Sequence, residues 1–381
     1  MPIASNGLGI RGGKEWRQLI FRSSFRICIA RMELLLNSGA EELQFRQPGP
    51  GGSPGALMAA LRDNAIEPMI DHGTASFADL DEYECAFGGP SVQLTVTGRG
   101  DFKASLTRLN LRHLQLLRGS EDLARIAYIA LPTSRIFVSF PTSGLRLIWD
   151  GLEVGLGDIV FHGRGERFHQ RTTGEGRWGL VSLPASQLAS YSKSLIGRKI
   201  AAPPVGRVLR PQRTVAARLL RLHKEACRVA EANDGSCGRQ AAASASEHEL
   251  ARALFDCLAA DRGERNSKKR QRYANIMVRF EEVLAAHAGR QLSISELSSA
   301  IDVPERTMRV CCTEFLGVSP TRYLLLRRMN MVRSALRHAD PTNASVAEIA
   351  RSHQFSELGR FAVVYRRIFG EMPSTTLSRT C

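Results

Sequence analysis

The chain has 381 residues, 43% hydrophobic and 23% charged, enough apolar material for two or three domains with cores of their own and too much for a disordered polymer. Its formal charge of +15 favours a polyanionic partner, nucleic acid or an anionic membrane surface, while saying nothing of the fold. No run of eighteen or more apolar residues occurs, so no transmembrane helix and no membrane partner are expected.

Residues 1–57 read as a basic leader and a linker, poorly ordered. Arg11, Lys14, Arg17, Arg22, Arg26 and Arg31 interrupt every apolar stretch that a signal peptide would need. QPGPGGSPG at 47–55 sustains neither helix nor strand. From residue 77 to about 184 short apolar or alternating runs appear: VQLTVTG, SLTRLNLRHLQLLRG, IAYIALP, IFVSFP, LRLIWDG, DIVFHG and WGLVSLP. Gly, Pro or Asp-Gly separates them at the spacing of an all-β sandwich or barrel. Asp150-Gly151 predicts a hairpin turn between LRLIW and LEVGLGDIVF. A helical period follows at 215–230, with Leu219, Leu222, Ala226 and Val229 on one face, and again at 247–260. NDGSCGRQAAASAS between them reads as a flexible connection, and DRGERNSKKRQR at 261–272 as a basic linker. The eight cysteines, at 28, 85, 227, 237, 257, 311, 312 and 381, form no C-x-x-C pair. That scatter argues against a disulfide framework or zinc site and suits a reducing cytoplasm.

The last hundred residues contain an internal repeat. SISELSSAIDVPERTMRVCCTEFLGVSP (293–320) aligns with SVAEIARSHQFSELGRFAVVYRRIFGEMP (345–373), with one extra residue near Gly359. Ser293 and Ser345 each precede a glutamate by three positions, Glu296 and Glu348, which is a capping box twice over; Leu292 and Leu297 add a hydrophobic staple to the first. Each short helix meets a tight turn, at Ile301-Asp302-Val303 and at His353-Gln354-Phe355. A longer helix follows, its apolar face at Met308, Cys312 and Phe315 or at Phe361, Tyr365 and Ile368. Both copies stop at glycine then proline, Gly317 and Pro320, Gly370 and Pro373. Short helix, tight turn, longer helix is the helix-turn-helix, whose second helix enters the DNA major groove. Leu325, Met329, Val332 and Leu336 predict one connecting helix over 320–337. Its length of about 27 Å would let the two recognition helices face successive major grooves. Residues 268–381 carry 18 Lys and Arg against 10 Asp and Glu, as a DNA-binding domain requires.

These residues resemble the tandem helix-turn-helix domain of the AraC/XylS family of bacterial transcription regulators over about 273–376. The run F-S-x-x-x-R-F-x-x-x-Y-R-R-x-F-G-x-x-P from Phe355 to Pro373 carries the likeness most specifically. The resemblance implies sequence-specific promoter binding by Arg306, Thr307, Arg309 and Val310 of the first recognition helix. From the second it implies Leu358, Gly359, Arg360 and Val363, with Arg366 and Arg367 meeting phosphate. Two positions depart from the family pattern. Gln354 stands where the second turn usually has glycine, at a cost of about 1 kcal/mol if held at positive φ. Pro304 replaces the usual serine cap of the first recognition helix. Val310 and Val363 sit where some relatives carry base-reading polar side chains; they could touch thymine methyls, leaving more of the recognition to phosphate contacts and DNA shape.

Residues 70–200 are similar to the cupin-like N-terminal half of such regulators, which implies an effector-binding or dimerisation domain. Gly157-Asp158-Ile159-Val160-Phe161, followed by Gly163, Gly165 and His169, approximates the second cupin motif. It lacks that motif's proline and places the histidine one residue late. His162 and His169 therefore read as barrel residues, with no metal and no cofactor expected. Arg146, Trp149, Phe161, Arg167 and Trp178 could line an effector pocket, or the two tryptophans could be core. The expected architecture is thus an α+β multidomain chain. A cupin-like β-sandwich or barrel at 70–200 and a helical linker region at 201–267 precede an all-α domain of two helix-turn-helix motifs joined by a long helix at 268–381.

The expected function is a cytoplasmic, non-enzymatic transcription regulator. Its implied partners are double-stranded promoter DNA, RNA polymerase, a small-molecule effector and a second copy of the chain. Two alternatives stay open from the sequence: a cupin-type metalloenzyme, and a repair protein using Cys311 or Cys312 as alkyl acceptor, each fused to a DNA-binding domain.

Overall fold

The computed structural model describes residues 73–144, 146–231, 239–260, 267–287 and 290–379, with backbone alone over 239–246. The expected leader at 1–57 lies outside the described residues.

Twelve antiparallel strands form two sheets among the described residues. The seven-stranded sheet has the order β1 (Gly73–Phe77), β3 (Ala104–Asn110), β4 (Gln115–Glu121), β11 (Gly176–Pro184), β6 (Arg135–Pro141), β9 (Ile159–Phe161), β12 (Arg207–Leu209). The five-stranded sheet has the order β2 (Ser91–Val96), β5 (Arg125–Ala130), β10 (Arg167–Thr172), β7 (Leu147–Trp149), β8 (Leu152–Val154). Asp150 at φ 44 and Gly151 at φ 79 make the tight β7–β8 hairpin that Asp-Gly predicted.

Strand alternation assigns each face a different neighbour. On β6, Ile136, Val138 and Phe140 point out of the sandwich, and Phe137 points in. The outward set packs under α2 (Leu188–Ile196), α3 (Arg213–Glu231) and α4 (Arg239–Ala259) through Leu188, Leu219, Cys227, Leu254 and Phe255. Between the sheets lie two apolar groups, one around α1 (Leu80–Cys85), Phe102 and Trp178, the other around Phe137, Trp149 and Phe168. A buried polar centre joins them. Glu121 accepts from Tyr83 Oη at 2.7 Å, Trp178 Nε1 at 2.8 Å and Arg125 at 3.3 Å. Arg125 also donates to Gln170 Oε1 at 2.7 Å and to Gln170 C=O at 3.2 Å, while its Nε is buried without a partner among the described residues.

Three boundaries differ from the sequence reading. Strand β12 pairs with β9 beyond residue 200, and helices α3 and α4 complete the sandwich core rather than link domains. Helix α4 begins at Arg239, inside the expected flexible connection, because an alanine-rich segment propagates helix once the packed part at 247–259 nucleates it. The expected basic linker is helical from Lys268, where Ser267 accepts the N–H of Arg270 as a cap.

The C-terminal domain runs α5 (Lys268–Ala286), α6 (Ile294–Ile301), α7 (Glu305–Leu316), α8 (Pro320–His338), α9 (Val346–Ser352), α10 (Leu358–Phe369), α11 (Pro373–Ser378). It packs on the outer face of the five-stranded sheet. Arg171, Ile126 and Thr95 form one cross-strand row of that face, and His169, Tyr128 and Gln93 the next. Ile126 joins the apolar core of α5–α7, and His169 and Gln93 bond to Glu281 and Arg327.

Candidate nucleic-acid interface

Both repeats fold as the capping signals require. Ser293 and Ser345 accept from the backbone N–H of Glu296 and Glu348 at 3.2 Å each, and each glutamate accepts its serine's N–H in return. The two turns are the same. Val303 N–H donates to Ser298 C=O at 3.1 Å, and Phe355 N–H to Ala350 C=O at 3.0 Å, each closing a Schellman turn. The residue before each closing N–H is left-handed, Asp302 at φ 56 and Gln354 at φ 65. Gln354 therefore adopts the glycine-like conformation although it carries a side chain. Pro304 leaves α7 without a side-chain cap, as its lack of a hydroxyl dictates.

The recognition helices α7 and α10 bury the predicted apolar faces, Met308, Cys312 and Phe315 in one, Phe361, Tyr365 and Ile368 in the other. On the opposite side of α7, Arg306, Arg309 and Val310 are exposed and Thr307 is half-buried. On α10, Gly359, Arg360, Val363, Arg366 and Arg367 are exposed and Leu358 is half-buried, Val363 leaving 69% of its surface free. A valine that exposed has no packing reason to stand there and suits apolar contact with a base edge. Arg309 pairs with Glu305 at 3.1 Å and Arg360 with Glu357 at 3.8 Å, single-turn pairs that a phosphate or a base would readily displace. Arg306, Arg366 and Arg367 have no ion-pair partner among the described residues. Eight of the ten residues expected at DNA are thus exposed; Thr307 is half-buried, and Leu358 packs against the core that Phe361, Tyr365 and Ile368 enter.

The five expected effector residues are not gathered in one place. Phe161 faces the helix-covered side of the seven-stranded sheet, and Trp178 lies between the sheets, stacked on Phe87. Arg146 is exposed and pairs with Glu153 at 3.1 Å. Only Trp149 and Arg167 share a cleft, of about 270 Å³, with Asp150, Arg164, Glu166 and Arg270. There Arg270 lies over the Trp149 ring at 4.9 Å, and Trp149 Nε1 is buried without a hydrogen-bond partner among the described residues. Burial pushes the Asp150 carboxyl up to about 8, well above the usual carboxylate range. Sequence reasoning missed Arg270 because it lay in what read as a linker.

His162 and His169 are buried apart, His162 bonded to Ser139 and Glu166, His169 to Glu281. Burial pushes the Cys311 thiol up to about 12 and raises Cys312 further, the opposite of what a nucleophilic cysteine needs. No helix among the described residues is long and apolar enough to cross a membrane.

A family model described as "Helix-turn-helix domain" matches residues 297–379. The probable thc operon regulatory protein of Rhodococcus erythropolis is 36% identical over 96 residues, 25% of this chain and 29% of that protein. XylDLEGF operon transcriptional activator 2 of Pseudomonas putida is 31% identical over 100 residues, 26% of this chain and 64% of that one. Less than two thirds of either relative is therefore matched. Among solved structures, a probable AraC family transcriptional regulator from Rhodopseudomonas palustris is 32% identical over 28% of this chain and 96% of its own, with a TM-score of 0.26. The AraC-like transcriptional activator CuxR covers 80% of this chain and 99% of its own at 15% identity, with a TM-score of 0.35.

Proposed function

Because this chain belongs to the AraC/XylS family of transcription regulators, we propose that it binds promoter DNA sequence-specifically, placing α7 and α10 in successive major grooves. The observation that carries the reading is the repeat itself. Two motifs with the same capping box and the same Schellman turn each present an exposed arginine- and valine-bearing face, in a domain with a positive surplus. Arg306, Thr307, Arg309 and Val310, with Leu358, Gly359, Arg360 and Val363, read base edges; Arg366 and Arg367 contact phosphate. The protein works in the cytoplasm by binding rather than catalysis, and RNA polymerase and a second copy of the chain are its further partners.

The 270 Å³ cleft between sandwich and α5 is the proposed effector site, in place of the five-residue pocket read from sequence. Support comes from its location: a ligand touching Trp149 and Arg167 on one side and Arg270 on the other would alter how the two domains meet.

Selection of bound DNA from a random pool by the full chain tests the reading. Enrichment of a two-part site, with affinity falling steeply as salt rises, is expected. Recovery of unenriched sequence, or affinity indifferent to salt, would overturn it.

A further inference from the structure

The two motifs have separate apolar cores. Tyr323 of α8 belongs to the core around α6 and α7, whereas Leu326, Met329, Val332 and Leu336 belong to the core around α9 and α10. Among the described residues helix α8 contributes to both cores, and a single nineteen-residue helix bends. Two recognition helices meeting grooves about 34 Å apart need a more rigid reference.

The sandwich supplies one. It touches each recognition helix at the same point, the left-handed glycine that ends it. At the end of α7, a Cβ added to Gly317 would lie 2.9 Å from Cζ of Arg171 on β10. At the end of α10, a Cβ added to Gly370 would lie 3.1 Å from Cγ and Nε of Arg99, in the loop after β2. Neither guanidinium has a hydrogen-bond or ion-pair partner among the described residues, and Nε of Arg171 is buried without one. A cation left unpaired by a neighbouring carboxylate is favoured where each lies, at the negative end of a helix dipole. The backbone of the same loop adds a direct bond, Gly100 N–H donating to Phe369 C=O at 3.2 Å.

The sandwich also fixes the middle of α8. Asn330, which is buried, accepts from Val96 N–H at 3.1 Å and donates to Val96 C=O at 3.0 Å, closing the free edge of β2 as a neighbouring strand would. Arg333 donates to Gly100 C=O at 3.1 Å. One sheet therefore bears on the end of each recognition helix and on the centre of the helix joining them.

We infer that Arg171 and Arg99 are positioning residues for DNA recognition. Through them the sandwich holds α7 and α10 at one separation, so that the spacing between the two half-sites is set by the sandwich together with α8. The inference rests on the DNA-binding reading above.

The test is the same random-pool selection, run on the full-length chain and on Arg99→Ala/Arg171→Ala, with the spacing between enriched half-sites as readout. The wild type is expected to return one spacing. The double variant is expected to return the same half-site sequences over a broadened range of spacings. Its affinity for the best two-part site should fall about tenfold, with affinity for an isolated half-site unchanged, because only the linkage between the two contacts is loosened. If the double variant melts far below the wild type, Arg99→Ala alone replaces it, that side chain being exposed. One sharp spacing retained by the variant overturns the inference while leaving the DNA reading intact. A wild type that enriches half-sites at no fixed spacing also overturns it. A wild type that enriches nothing overturns the DNA reading itself.

Discussion

His169 of β10 and Glu281 of α5 meet at 3.0 Å, Nε2 to Oε1, and each side chain is 1% exposed. Tyr323 Oη donates to the same carboxylate oxygen at 2.7 Å, and Arg327 bonds the other. One carboxylate thus joins the sandwich to two helices of the DNA-binding domain. Burial on its own would raise the Glu281 carboxyl, but Arg327, His169 and Tyr323 together outweigh it and hold it at about 2. Its folded value lies below the ordinary 4.5, so its contribution to stability is complete above about pH 4.5 and is lost as the pH falls toward 2. Glu281→Ala leaves buried His169 and Tyr323 and half-buried Arg327 without their shared acceptor and should cost about 3–5 kcal/mol in denaturant unfolding. A cost under about 1 kcal/mol would mean the pair does not join the domains.

A second acid-sensitive group lies on the buried face of α3. Burial pushes the His223 imidazole down from 6.5 to about 4, with Nε2 bonded to Leu117 C=O at 3.1 Å. The fold keeps it neutral while the unfolded chain takes up a proton below about pH 6.5. Stability should therefore be full above pH 6.5 and decline toward pH 4, by about 1.4 kcal/mol per pH unit. Melting curves of His223→Gln should be flatter across that interval than those of the wild type; parallel profiles would refute the assignment.

Phosphate contact and base reading separate experimentally. Arg366→Ala and Arg367→Ala should weaken binding to all sequences alike and reduce the salt slope by about one each. Arg306→Ala or Arg309→Ala should instead relax preference at particular base positions, at about 1–3 kcal/mol each. Equal loss on specific and random DNA from the second pair would place those arginines on the backbone.

The left-handed Gln354, at φ 65, should gain from glycine. Gln354→Gly is expected to stabilise the domain by up to about 1 kcal/mol, and Gln354→Val to destabilise it, since a β-branched residue tolerates positive φ worst. Chemical denaturation of the three proteins gives the order directly.

Thiol chemistry bears on the alkyl-acceptor alternative. Cys311 and Cys312 are buried with raised thiols, whereas Cys85 is exposed. A thiol reagent followed by peptide mass mapping should modify Cys85 in the native protein and reach Cys311 and Cys312 only after unfolding. Rapid native labelling of Cys311 would reopen that alternative.

Much of the C-terminal domain was legible because its signals are local. A serine and a glutamate three residues on make a capping box, and a glycine before a proline ends a helix; both depend on atoms within one or two turns. The Asp150-Gly151 hairpin was legible for the same reason. Strand β10 was not: R-F-H-Q-R-T alternates, but its outward set, Arg167, His169 and Arg171, is polar and carries no local sign of the helical domain that covers it. The effector set failed on a related ground. Period-two alternation sorts the two sides of one strand, yet it does not say which side of another strand shares that space, so Phe161 fell on the helix-covered face while Trp149 and Trp178 fell in separate groups between the sheets.

The sequence by itself determined two capped helix-turn-helix copies, the helix between them and the charge they carry. Only the tertiary structure decided that the polar face of β10 is an interdomain surface and that Arg171 and Arg99 rest on the ends of the recognition helices. Those contacts join residues more than a hundred positions apart, and their partners are chosen by the packing of whole sheets and helices rather than by any neighbour in the chain.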